Sequence, residues 1–127
     1  MKQAIQLSEA EFKIMETLWE QSPKTMAEIT QTLYSETAWT KNTVITLLKR
    51  MIQKGTVRAD EMVSPKTYTP LVERNALIKQ ETKTLIKRLF KGSSTMLMSN
   101  MVEEGNITDA ELDEMIRLLQ RKKEERA

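Results

Sequence analysis

Residues 39–55 read Trp39-Thr40-Lys41-Asn42-Thr43-Val44-Ile45-Thr46-Leu47-Leu48-Lys49-Arg50-Met51-Ile52-Gln53-Lys54-Gly55. Val44, Leu47, Leu48 and Met51 recur at i, i+3, i+4 and i+7, the spacing of one face of an α-helix. Thr40 is the expected N-cap, and Lys54-Gly55 the expected stop, because glycine accepts the left-handed conformation that closes a helix. At about 100° per residue, turning that apolar face inward puts Asn42, Thr46, Lys49 and Gln53 outward, flanked by Thr43, Ile45 and Arg50. Trp39, just ahead of the helix, reads as a staple against its first turn.

Two helices precede this one. Ser8-x-x-Glu11 and Thr25-x-x-Glu28 are capping boxes, in which side-chain oxygens take up the orphan N–H groups of a helix start. The first helix carries Phe12, Met15, Leu18 and Trp19 on one face and stops near Ser22-Pro23; the second carries Met26, Ile29 and Leu33 and ends around Tyr34. After Gly55 the period changes. Thr56–Asp60 and Lys66–Thr69 are β-prone runs separated by a Ser64-Pro65 turn signal, which predicts a hairpin. Three short helices and a hairpin follow one another in the order of a winged helix-turn-helix, whose third helix enters the DNA major groove while the hairpin lies along the backbone.

Helix formers return from residue 73 to 91, with Leu77/Ile78, Leu85/Ile86 and Leu89/Phe90 on one side, until Gly92-Ser93-Ser94 interrupts them. A short helix from Thr95 to Glu104 follows, and Thr108-x-x-Glu111 caps a last helix reaching about Glu125. The expected fold is therefore mainly α, with an N-terminal winged helix-turn-helix at residues 1–72 and a C-terminal three-helix region at residues 73–127. Each of these three helices has an apolar stripe, and so small a unit cannot bury them all internally. A homodimer is the simplest remedy, with Leu85, Leu89, Leu97, Met101, Leu112, Met115, Ile116 and Leu119 as its expected interface. Met96, Met98, Met101 and Met115 lie here, and flexible thioethers suit an adaptable helix-packing surface.

Charge is partitioned along the chain, although 20 Lys+Arg against 18 Asp+Glu leave a net of only +2. Residues 9–36 hold Glu9, Glu11, Glu16, Glu20, Glu28 and Glu36 against Lys13 and Lys24; residues 41–66 hold Lys41, Lys49, Arg50, Lys54, Arg58 and Lys66 against Asp60 and Glu61. A basic third helix and hairpin behind two acidic helices is the polarity of groove binding to double-stranded DNA. Asn42 can bond an adenine edge, Thr43 and Thr46 a base or phosphate, and an exposed Ile45 can lie against a thymine methyl. Lys41, Lys49, Arg50, Arg58 and Lys66 would serve phosphates, setting register without reading sequence, and Thr40 is counted with the same DNA-binding face.

The chain has no Cys and no His. That removes the thiolate nucleophile and the usual zinc, iron and copper ligands, and no glycine-rich nucleotide motif is present. The expectation is a binding protein and not an enzyme, without metal or cofactor; the Asp109/Asp113 pair reads as solvated helix charge. No leader-like charged and apolar segment opens the chain and no run of eighteen apolar residues occurs, so a cytoplasmic protein without membrane insertion is expected. The competing reading is a winged-helix protein-interaction module, its polar third helix docking an acidic partner.

Leu7-Ser8-Glu9-Ala10-Glu11-Phe12, with Met15 and Leu18-Trp19, then Trp39-Thr40-x-x-Thr43-Val44-x-Thr46-Leu47-Leu48-x-Arg50-Met51-x-x-Lys54-Gly55, together resemble the penicillinase-repressor family of bacterial transcription regulators, which includes methicillin-resistance and copper-responsive repressors. Tyr68-x-Pro70-Leu71-Val72 resembles the return of the wing, and Phe90-Lys91-Gly92 with Asn100-Met101-Val102-Glu103 resembles the C-terminal half of the methicillin-resistance branch. The resemblance implies a dimeric repressor on a palindromic operator. Thr43 and Thr46 match the family pattern. Asn42 stands where the family more often has Lys, Lys41 where it often has Pro, and Ile45 where basic or polar residues are common, so half-site preference is expected to differ.

The resemblance also implies a mode of release. In β-lactam-responsive members a membrane-bound sensor protease, or a step it triggers, leads to cutting of an Asn-Phe bond in the dimerisation region. Asn100-Met101 occupies that place here, with Met for Phe, and is the candidate cleavage site. The copper-responsive branch carries paired cysteines in its tail, and residues 120–127 have none.

Overall fold

A computed structural model describes residues 5–127. Its elements run α1 (Glu9–Glu20), β1 (Lys24–Thr25), α2 (Met26–Thr37), α3 (Lys41–Lys54), β2 (Val57–Asp60), β3 (Thr67–Pro70), α4 (Arg74–Leu89), α5 (Ser94–Glu103) and α6 (Asp109–Glu125). They gather into two compact units, one extending to Glu81 and the other from Thr82 to Ala127, with the division two turns into α4.

In the first unit the capping boxes form with both hydrogen bonds in place: the Ser8 and Thr25 side chains accept from the backbone N–H of Glu11 and Glu28, whose carboxylates reach back to the cap. These caps set the helix starts so that Ile14, Met15 and Leu18 of α1 meet Ile29 and Leu33 of α2 and Val44, Leu47, Leu48 and Met51 of α3. Val57 and Tyr68 close the core from the sheet. Full burial of each such side chain is worth about 1.5–3 kcal/mol relative to exposure, which makes this face of α3 the most strongly held part of the helix. Trp39 is half-buried against the same core.

One expectation is corrected here, and the expected hairpin forms with an added strand. The second helix continues past Tyr34 to Thr37, where Thr37 Oγ1 donates to the Leu33 carbonyl and Ala38 closes the turn at a positive φ of 56°. An alanine in the left-handed region is costly, so no glycine or asparagine marked this stop. The hairpin is also part of a three-stranded antiparallel sheet in the order β1-β3-β2, with Lys24 opposite Tyr68, Thr25 opposite Thr67 and Ala59 opposite Tyr68. β1 holds only two residues, too few to show alternation.

α3 passes into the wing almost without a linker. Gly55, at φ 80°, sends its amide to the Ile52 and Met51 carbonyls, and the buried Thr56 donates both its N–H (2.9 Å) and its hydroxyl (3.1 Å) to Met51 O. The left-handed turn favours glycine because it has no Cβ. The Thr56 carbonyl then accepts from Leu71 N at 2.9 Å, tying the strand exit to the helix end.

The second unit is held differently. Ser93 caps α5, a capping box of Thr108 and Glu111 opens α6, and Gly92 N–H bonds Ile86 O at 3.0 Å where α4 ends. Yet neither α5 nor α6 contributes a buried residue, and the one in α4, Leu77, belongs to the first unit. Among the described residues, no helix is long and apolar enough to cross a membrane.

Candidate nucleic-acid interface

The outward face of α3 is built by exclusion. Its four inward side chains are buried, and Lys41, Asn42, Thr43, Thr46, Lys49, Arg50 and Gln53 are all exposed. The helix holds no acidic residue and spans 14 residues, about 21 Å at 1.5 Å per residue. A rod of this size fits the major groove, which is wide enough to admit an α-helix.

Local hydrogen bonds set what these side chains can offer. Thr46 Oγ1 donates to the Asn42 carbonyl at 2.9 Å, so its hydroxyl proton is committed within the helix, and the exposed side chain is left to accept. Thr40 Oγ1 accepts from Thr43 N and lies 3.4 Å from Thr43 Oγ1, an exposed pair at the helix N-terminus. Ile45, expected to be exposed, is half-buried. It lies on the border of the inward stripe beside Val44 and Leu48, which leaves only part of its side chain for an outside contact. On the wing, Arg58 and Lys66 are exposed, and Lys66 pairs with Glu61 at 3.4 Å on the solvent-exposed surface, a geometry worth little energetically.

Lys54, one of the basic residues of α3 in the sequence, has a partner that local spacing does not reveal. Its ammonium lies 2.8 Å from Oε1 of Glu11, which is fully buried, and 3.4 Å from the Gln6 carbonyl. The same Glu11 oxygen accepts from Ser8 N at 2.9 Å, while Oε2 is buried without a hydrogen-bond partner. Burial pushes this carboxyl up, but the hydrogen bonds involving Lys54 and Ser8 outweigh it and hold it below the usual carboxylate range. A buried charge survives only where it is paired in this way.

Two further contacts root α4 on the first unit. Trp19 Nε1 donates to the Val72 carbonyl at 2.8 Å, the Arg74 guanidinium lies 4.9 Å from the Trp19 ring centre, and Phe12 meets that ring edge-on at 5.8 Å. Six residues further along α4, Gln80 bonds Ile5 in both directions: Ile5 N–H donates to Oε1 at 2.8 Å and Nε2 donates to the Ile5 carbonyl at 2.6 Å.

Residues 7–121 match the penicillinase repressor family. The chain belongs to that family. A penicillinase repressor of Bacillus licheniformis is 25% identical over 97% of this chain and 96% of its own length. The methicillin resistance regulatory protein MecI of Staphylococcus aureus is 25% identical over 92% of this chain and 95% of its own. The solved DNA-binding domain of the repressor BlaI superposes with a TM-score of 0.51 at 30% identity, covering 58% of this chain and 90% of that one. A Bacillus licheniformis BlaI monomer, solved in complex with the blaP half-operator, gives 0.51 at 29% identity, over 59% and 92%. The winged-helix fold of the family is thus present here.

The residues expected at a dimer interface all lie in the second unit, from Thr82 onward. Leu85, Leu97, Leu112 and Met115 are half-buried, whereas Leu89, Met101, Ile116 and Leu119 are exposed. Met96, Val102 and Leu118 are exposed with them. Asn100 and Met101 sit in the last turn of α5, where the Asn100 carbonyl accepts Glu104 N at 3.2 Å. Among the described residues, no group of three or more Asp or Glu side chains is arranged to hold a metal ion.

Proposed function

We propose that this chain is a homodimeric, sequence-specific transcriptional repressor that acts in the cytoplasm by occupying a palindromic operator. The observation that carries the reading is α3: an acid-free helix whose Val44, Leu47, Leu48 and Met51 are buried and whose polar side chains are exposed, in a chain of the penicillinase repressor family. Asn42, Thr43 and Thr46 read base edges, with the uncovered part of Ile45 beside them, while Thr40, Lys41, Lys49, Arg50, Arg58 and Lys66 hold phosphates. Residues 1–72 bind DNA and residues 73–127 dimerise. Support for the second role comes from the apolar surface that α5 and α6 leave uncovered, including Ile116, Leu118 and Leu119, each about half-exposed. A second copy covering these side chains removes that surface from water.

Release is by proteolysis at Asn100-Met101 under a membrane-bound sensor protease. Cutting there separates α6 from the rest of the chain and strips the interface of apolar area. The bond becomes reachable only when the last turn of α5 opens, because the Asn100 carbonyl is held by Glu104 N.

The test is binding of labelled duplex DNA followed by fluorescence anisotropy across a salt series. Log K falls steeply with log salt, by about 0.9 per phosphate neutralised. A flat slope, or no binding at micromolar protein and low salt, overturns the proposal and leaves a protein-interaction module.

A further inference from the structure

We propose that the cavity between α1 and the first turns of α4 binds a small amphipathic organic cation, an aryl or alkyl body carrying a quaternary or protonated amine. The cavity measures about 470 Å³, within the range of small-molecule sites, and its lining comes wholly from the unit that ends at Glu81. No residue of α3 or of the wing lines it, so the inference does not rest on the operator reading. Helical spacing builds its walls. Glu9, Phe12, Lys13 and Glu16 stand at i, i+3, i+4 and i+7 on one face of α1, and Leu77 and Glu81 at i and i+4 on α4.

Leu7, Phe12 and Leu77 give the cavity its apolar surface. Phe12 is half-buried and Leu77 buried, yet neither joins the core cluster of the first unit, so this surface is separate from the one that holds the helices together. The charge around it is one-sided. Glu9, Glu16 and Glu81 line the cavity, and among the described residues none of these three carboxylates has a hydrogen-bond or ion-pair partner. Lys13, the one base in the lining, has its ammonium bonded to Glu36, which lies outside the lining. The carboxylates do not converge on a point: among the described residues, no three acidic side chains are arranged to hold a metal ion. Negative charge spread over an apolar surface suits a cation carried on an apolar body, which can also rest against the Phe12 ring, and it disfavours an anion of the same shape.

The probe is phenylbutyl-trimethylammonium, titrated into the full-length chain without DNA and followed by calorimetry and by NMR of the leucine methyl and phenylalanine ring resonances. Binding should saturate and shift the signals of Leu7, Phe12 and Leu77, while phenylbutyrate, the same apolar body with the opposite charge, should not bind. Replacing Glu9 and Glu81 together, as Glu9→Gln and Glu81→Gln at two exposed positions, should weaken the cation about tenfold. Phe12→Leu keeps apolar bulk but removes the ring, and should weaken it about threefold, the usual worth of a cation–π contact at a partly exposed site. The charge variants test the site even if Phe12→Leu loosens α1. Absence of saturable binding, equal binding of phenylbutyrate, shifts confined to residues outside the cavity, or wild-type affinity in the double glutamate variant would each overturn the proposal.

Discussion

Oε1 of Glu11, a carboxylate with no solvent exposure, accepts a 2.8 Å hydrogen bond from the ammonium of Lys54, so the last residue of α3 is bonded to the first turn of α1. The carboxylate is already committed as the return arm of the α1 capping box. One side chain thus starts one helix and holds the end of another, and its removal should be felt at both.

The pH dependence of stability follows from that pair. The folded Glu11 carboxyl titrates below its unfolded value of about 4.3, so its contribution is complete above that pH and is lost as pH falls through the folded value. Thermal melts should therefore show no loss from this pair between pH 7 and about 5 and a decline below about 4. Glu11→Gln should lower stability at pH 7 by about 1.5–3 kcal/mol, the worth of a charged hydrogen bond, and make the acid decline shallower. An unchanged acid limb in the variant would rule this assignment out.

Base reading and phosphate holding should separate by mutation. Thr43→Ala and Thr46→Ala should each weaken palindromic operator binding by about 1–3 kcal/mol more than binding to random duplex, whereas Lys49→Ala should weaken both alike and lower the salt slope by about one. Competition binding with the two DNAs measures this, and equal losses for all three variants would argue against reading by the threonines.

The inward face of α3 should be sensitive for a different reason. Leu48 is fully buried among the core side chains of α1 and α2, and Leu48→Ala should cost about 2–5 kcal/mol through lost transfer energy and the cavity left behind. Urea unfolding reports it directly, and a loss below about 1 kcal/mol would mean that the site collapses without penalty.

Association should depend on the last helix. Leu119→Glu places a charge on a half-exposed apolar position of α6, and it should shift sedimentation toward the monomer while leaving the half-site affinity of the winged helix unchanged. A wild-type monomer at micromolar concentration, or a dimer that tolerates the charge, would refute the proposed interface.

Much of this was legible because local chemistry decided it. Three capping boxes set helix starts at Ser8, Thr25 and Thr108, and in each the side chain reached the predicted N–H. The inward stripe of α3 was legible from spacing alone, and with it the outward face. What local patterns could not show depended on distant partners. Ile5 and Gln80 are 75 positions apart, Glu11 and Lys54 are 43, and Trp19 finds the Val72 carbonyl across 53. Glu11 was counted among the acids of a polar segment although it is fully buried. β1 escaped because Thr25 serves as both strand residue and helix cap, and the end of α2 because an alanine took the place of the usual glycine.

The absence of any buried residue in α5 and α6 has a consequence for how such a regulator would respond to its own abundance. A newly made copy would carry a finished reading head on a tail whose apolar faces stay in water until a twin covers them, so dilution would act on association and on DNA occupancy at once. Silencing would then set in sharply once synthesis outpaces loss, and growth without resupply would lift it sooner than with a preassembled pair.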